Sequence, residues 1–244
     1  MRNRARPAAL HSLMGIASRI AERMGLQHDG DRLGISVLCA EERRRMWWQL
    51  QHMEVDMGLL IGNISMIIYA DWDTKLPRNL EDRDLHPNIQ NIPPGHRGLT
   101  NISHCLWRYQ ILHMQRDTRQ LDGGTKKALP WMLSPQVSLA EKDAMIDICE
   151  QTLGGQFLQY CEPLNPLHVH IQIGVRLMVL AARRVARQPA LVNVKISEMS
   201  PHEREEFLRI CTKCLDYYLL SETTEFLRGF RWHNENYFPW PACK

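Results

Sequence analysis

The segment Glu41-Glu42-Arg43-Arg44-Arg45-Met46-Trp47-Trp48-Gln49-Leu50 constrains this chain more than any other stretch. It sets three guanidinium groups beside two adjacent indoles. It then continues through Met53, Asp56, Met57 and Leu60. The apolar residues Met46, Leu50, Met53, Met57 and Leu60 recur at intervals of four, three, four and three, which is the period of an α-helix. The spacing therefore predicts a helix from Ser36, a cap residue, to about residue 61, with that stripe buried and Asp56 on its flank. Arginines beside indoles could hold phosphates and stack on bases. The competing reading is a core helix whose arginines meet internal carboxylates, from Glu41, Asp56 or the acids of a later loop, while its tryptophans fill volume.

Charge favours the second reading. Thirty basic and 27 acidic residues in 244 leave a net charge of +3, too balanced to imply nucleic acid or a membrane surface as partner. The most apolar run, residues 57–70, is broken by Gly62, Asn63 and Ser65. It is shorter than the roughly 18 to 20 residues a membrane span needs. Seven scattered cysteines and no secretory leader suit reduced thiols in a soluble intracellular chain.

Periodicity elsewhere is helical throughout. Residues 8–26 carry Leu10, Leu13, Ala17, Ile20, Ala21 and Met24 on one side, ended by Gly25. Residues 62–98, with Pro77, Pro87, Pro93 and Pro94, read as a long irregular segment; Ile64 to Tyr69 within it reads as extended and packed. Thr100 opens a helix that closes at Gly123-Gly124. Ser138 with Glu141 and Ser200 with Glu203 form two capping boxes, and a further helix covers 166–187. No strand alternation competes, so the expected fold is all-α, an irregular multi-helix bundle.

Catalytic signatures are lacking: no Gly-rich phosphate loop, no Gly-x-Ser-x-Gly elbow, no His-Glu-x-x-His. Cys211-x-x-Cys214 has the spacing of half a zinc site, but it falls on the apolar stripe of a capped helix. His168 and His170 are two residues apart and point to different sides of a helix, so they make a poor metal pair. No catalytic residue, metal ligand or cofactor is expected in the chain.

Three motifs follow one another along the chain: Met24-Gly25-Leu26-Gln27-His28-Asp29, the Arg43-Arg44-Arg45-x-Trp47-Trp48 signature with Asp56, and the loop Asp71-Trp72-Asp73-Thr74-Lys75-Leu76-Pro77-Arg78-Asn79 with Asp82. In that order they resemble the middle regulatory region of fungal-specific transcription factors, the helical domain that accompanies a binuclear zinc-cluster DNA-binding head. The stretch Tyr160 to His168 and an aromatic tail to Trp240 follow in the same order. The usual Gly-Arg-Pro after the signature is replaced by Gly62-Asn63-Ile64, and the six-cysteine head is absent. The resemblance implies that residues 1–244 are a single regulatory domain, cut at both ends of a larger bundle. It implies a nuclear transcriptional regulator of a metabolic or secondary-metabolite gene cluster, with zinc and DNA contact confined to the missing head. It also implies a protein partner or a second copy, and a small-molecule effector. Arg43, Arg44, Arg45, Trp47, Trp48, Asp56, Leu76 and Pro77 would then be structural. The alternative is a stand-alone helical domain that binds or converts a small apolar metabolite, with Trp48, Asp56, His168 and His170 as the pocket.

Overall fold

The computed structural model describes residues 7–60, 72–120, 137–187 and 199–234. Every regular element among them is helical, and none is a strand. The chain divides into two compact units, residues 1–129 and 130–244. Among the described residues no helix is long and apolar enough to cross a membrane. The expected extended run at 64–69, the Gly123-Gly124 turn and the aromatic residues Tyr237, Phe238 and Trp240 lie outside the described residues.

The first unit is built on helix α1 (Pro7–Arg23), α2 (Val37–Leu60) and α3 (Ser103–Gln120). Helix α1 ends because Gly25 adopts φ +69°, a conformation that glycine enters without a Cβ penalty. That turn lets the Leu26 amide reach back to the Ala21 carbonyl at 3.0 Å and the Gly25 amide to Glu22 at 2.9 Å, satisfying carbonyls the helix end would leave open. Ser36 caps α2 by accepting the Cys39 amide at 3.3 Å. Helix α2 packs on both α1 and α3.

The second unit contains α4 (Leu139–Gln156), α5 (Pro166–Ala186), α6 (Pro201–Thr223) and the short α7 (Arg231–Asn234). Both capping boxes form: Ser138 and Ser200 accept the amides of Glu141 and Glu203, whose carboxylates return to the cap amides. Helix α5 starts at Pro166, where a missing N–H costs nothing, and Asn165 caps it. It packs between α4 and α6. Ile146, Val179 and Ala186 form an apolar cluster between α4 and α5. At its rim Arg183 pairs with Asp147 and Glu150, and Arg187 with Asp143.

Two predicted faces are turned. On α2, Met46 and Met53 are exposed, while the buried line runs through Ala40, Glu41, Arg44, Trp47, Trp48 and Gln51. The helix period was correct and the stripe was not, because ion pairs and indoles, rather than methionines, decide which side turns inward. On α1 the buried residues are Met14, Ser18 and Ala21, whereas Leu10, Leu13 and Ile20, with Met24 just after the helix, face outward.

Candidate functional site

The candidate site is the face of α2 that carries the arginine–tryptophan signature, together with the two loops held against it. At a rise of 3.6 residues per turn, Glu41, Arg44, Trp48 and Gln51 share one side, with Arg45 and Trp47 beside them. The turn after α1 and the segment from Trp72 to Asp82 both lie across that side.

Asp29 is the hub. Its carboxylate receives Arg44 Nε at 2.9 Å and a terminal Arg44 nitrogen at 2.7 Å, a two-point guanidinium–carboxylate pair. The same carboxylate accepts the backbone amides of Asp31 at 3.1 Å and Lys75 at 2.8 Å. Both partners are almost wholly buried, with 5% and 2% of their side chains exposed. Burial alone would raise the Asp29 pKa, but the hydrogen bonds from Arg44, Lys75 and Asp31 outweigh it and hold the carboxyl well below its usual range. Arg44 is held above its usual value by the Asp29 hydrogen bond, against the opposing effect of burial. Asp31 adds a second carboxylate to Arg44 at 2.8 Å, and Lys75 Nζ closes onto Asp31 at 2.7 Å.

Around that hub the Trp72–Asp82 segment is fastened residue by residue. The Asp73 amide donates to the Gln27 carbonyl at 3.0 Å, and the Asp29 amide donates to the Asp73 carboxylate at 2.8 Å. Arg32 also pairs with Asp73. The Thr74 hydroxyl donates to the Leu26 carbonyl at 2.7 Å. Trp48 Nε1 donates to the Lys75 carbonyl at 2.8 Å. Glu41, fully buried, accepts the Arg78 amide at 3.0 Å; burial pushes its pKa up although Arg44 and Arg45 lie 3.7 and 3.6 Å away. Arg45 reaches on to Asp82 at 2.8 Å. Leu76 is half-buried, and Pro77 and Leu80 are buried. Asn79 then ties the segment to the start of α3. Its amide donates to the carbonyls of His96 and Gly98, and its oxygen accepts the hydroxyls of Thr100 and Ser103.

The tryptophans occupy the centre. Trp72 meets Trp47 and Trp48 edge-on, with ring centroids 5.7 and 5.0 Å apart, the arrangement that ring quadrupoles favour. Trp48 also stacks on His113 at 5.9 Å and contacts Tyr109 at 6.0 Å. The Tyr109 hydroxyl donates to Gln49 at 2.8 Å, joining α3 to α2.

The structure therefore gives each expected residue a specific place. Arg44 and Arg45 meet carboxylates. Arg43 does not: it donates to the carbonyls of Met24 and Gly25 at 2.8 and 2.7 Å, closing the end of α1. A cation is favourable there because helix C-termini carry partial negative charge. Asp56 stands next to none of the three arginines but 3.2 Å from His52, one turn back on α2. Burial, aided by the charge of Arg108, pushes His52 down to about 3, so this contact joins a neutral imidazole to a carboxylate.

His168 and His170 belong to the second unit and diverge. His168 Nδ1 accepts the Glu162 amide at 3.1 Å, bracing the junction before α5. His170 is buried and stacks on Phe230 at 4.4 Å. Cys211 and Cys214 are buried on α6, and burial pushes the Cys214 thiol up to about 11. No third metal-ligating side chain among the described residues joins that pair.

Sequence reasoning did not assign roles to Asp29 or Asn79. Asp29 had one legible signal: it precedes Gly30 in a capping position, where Asp is favoured because its oxygen can hold a free amide.

Comparisons with characterised proteins point one way. The chain is 27% identical over 230 residues to the aurofusarin cluster transcription factor of Gibberella zeae, covering 93% of this chain and 33% of that protein. It is 24% identical over 236 residues to the transcriptional regulator AacuB of Aspergillus aculeatus, covering 97% and 32%. With the C6 finger domain transcription factor nscR of Aspergillus fumigatus it shares 26% over 254 residues, covering 99% and 31%. The chain thus spans about a third of the length of these relatives. No family model matches it, and no solved structure does.

Proposed function

We propose that this chain is the regulatory portion of a fungal zinc-cluster transcription factor that controls a metabolic or secondary-metabolite gene cluster. The observation that carries the reading is a likeness to named fungal transcriptional regulators, one of them named for the aurofusarin cluster, that extends over 93–99% of the chain, not over one motif. The local chemistry agrees with it. The arginines that could have gripped phosphate are spent on Asp29, Asp31, Glu41, Asp82 and the end of α1. In this reading DNA is contacted by a six-cysteine head, which also holds the zinc, and the protein works in the nucleus. The helical region acts on transcription through a protein partner, a second copy or a small-molecule effector. It performs no catalysis.

The test fuses the 244 residues between a heterologous zinc-cluster head and an activation segment and reads a reporter gene in a fungal host. Insertion of the chain should change reporter output several-fold, and Arg44→Met should abolish that change at equal protein level. A reporter indifferent to both would overturn the proposal.

A further inference from the structure

Helix α1 carries a continuous apolar stripe on its outer side. Leu10, Leu13, Ile16 and Ile20 on the helix, and Met24 just past its end, are 37–60% exposed, and their spacing of three, three, four and four keeps them in one line. They leave roughly 450 Å² of hydrocarbon in water, within the ~300–600 Å² typical of the largest patch on a monomer, which is often functional. One edge of the stripe is basic. Arg19 and Arg23 are exposed, sit one turn apart beside Ile16 and Ile20, and pair with no carboxylate among the described residues. The other edge dips into the contact with α2 through Met14, Ser18 and Ala21. The charges on that side are inward: Ser18 donates to Glu54 at 3.5 Å, and burial raises the Glu54 pKa.

We propose that this face of α1 docks a partner helix whose apolar stripe is bordered by carboxylates. Apolar anchors at i, i+3 and i+7 are the footprint of one helix laid along another, and the unpaired Arg19 and Arg23 specify acidic residues on the partner's edge. A second copy of α1 fits poorly. It would bring another Arg19 and Arg23 and no carboxylate along the edges of the stripe to meet them. A lipid surface fits poorly too. The stripe has no Trp, Tyr or Phe to anchor at headgroup depth, and two arginines add only about 1 kcal/mol each near an anionic membrane. The interaction is a transient one, weaker at high salt.

The probe is a fluorescein-labelled, 18-residue helical peptide with leucines at i, i+3 and i+7 and glutamates along both edges, titrated with the full chain and read by anisotropy. Its counterpart has every glutamate replaced by lysine. The acidic peptide should bind at least tenfold more tightly than the basic one. Ile16→Asp with Ile20→Asp should lower its affinity at least tenfold, and Arg19→Glu with Arg23→Glu should reverse the preference between peptides. Because all four positions are exposed, melting temperatures should stay within a few degrees of the parent. Equal binding of the two peptides, or none, would overturn the proposal. So would a dimer in sedimentation that Ile20→Asp dissolves, which assigns the face to a second copy. Capture of the chain by phosphatidylserine vesicles in place of the acidic peptide would assign it to lipid and likewise overturn it. The reporter fusion does not depend on this face being acidic-helix specific, so the two readings can fail separately.

Discussion

Arg44→Met tests the physical centre of the structure. The substitution keeps the length and apolar stem of the side chain and removes the guanidinium. Asp29 would keep the amides of Asp31 and Lys75 at 3.1 and 2.8 Å but lose both charge-assisted bonds, at 2.9 and 2.7 Å. With only 2% of the Asp29 side chain exposed, water cannot take the place of Arg44. Breaking a buried pair by removing one partner costs about 3–5 kcal/mol, most of it the penalty of the stranded charge. With a urea slope of about 2 kcal/mol per molar, the midpoint should fall by roughly 1.5–2.5 M. Tryptophan fluorescence reads this directly, since Trp47, Trp48 and Trp72 are all buried around the same loop. Asp29→Asn combined with Arg44→Met should cost clearly less than the sum of the two single changes, because the double variant leaves no charge stranded at position 29. Half-molar salt should change the wild-type contribution little, as a buried pair is poorly screened. A cost below about 1 kcal/mol, the range of exposed ion pairs, or strict additivity in the double variant would refute the argument.

Other outcomes follow from the same geometry. His52 is held down to about 3 from an ordinary 6.5, so as pH falls the unfolded chain takes up this proton first. Its contribution is complete above pH 6.5 and is lost between 6.5 and 3; from 6.5 to 5 the wild type should lose about 2 kcal/mol more than His52→Gln in urea titrations. The Asp29 contribution is lost in a separate, lower window, below its ordinary 3.8. Gly30→Ala would place a Cβ 2.5 Å from the Ala40 Cβ and 2.7 Å from its Cα, and should cost about 1–3 kcal/mol by thermal melting. Gly154→Ala, in open space on α4, should instead stabilise by roughly 0.5–1 kcal/mol. Ser200→Ala removes an N-cap from α6 and should cost about 1 kcal/mol, seen as faster amide exchange in its first turn.

Local rules were legible in the sequence where the interaction is itself local. The boxes Ser138–Glu141 and Ser200–Glu203 and the turn at Gly25 each involve neighbours a few residues apart, and all appear as the spacing predicts. Which face of α2 is buried was not legible. Counting apolar residues favoured Met46 and Met53, whereas the burial of Arg44 depends on Asp29, 15 positions earlier and brought close only by the turn after α1. Asn79 shows the same limit: its four bonds reach 17 to 24 residues along the chain. Periodicity reports a helix, but it says nothing of a polar partner supplied by another segment. His168 and His170 show the converse. Their divergence followed from helix geometry alone, while the roles of capping Glu162 and stacking on Phe230 required the fold.

The central claim is that the arginine–tryptophan signature is an internal brace rather than a nucleic-acid contact. Titrating the purified 244-residue chain against a library of duplex DNA, at 50 and 200 mM salt, tests it most directly. The account predicts no sequence-selective complex, and no change in what weak binding remains when Arg44 is replaced by methionine. A sequence-specific complex that weakens by orders of magnitude between the two salt concentrations and is lost in Arg44→Met, with the fold intact, would contradict it.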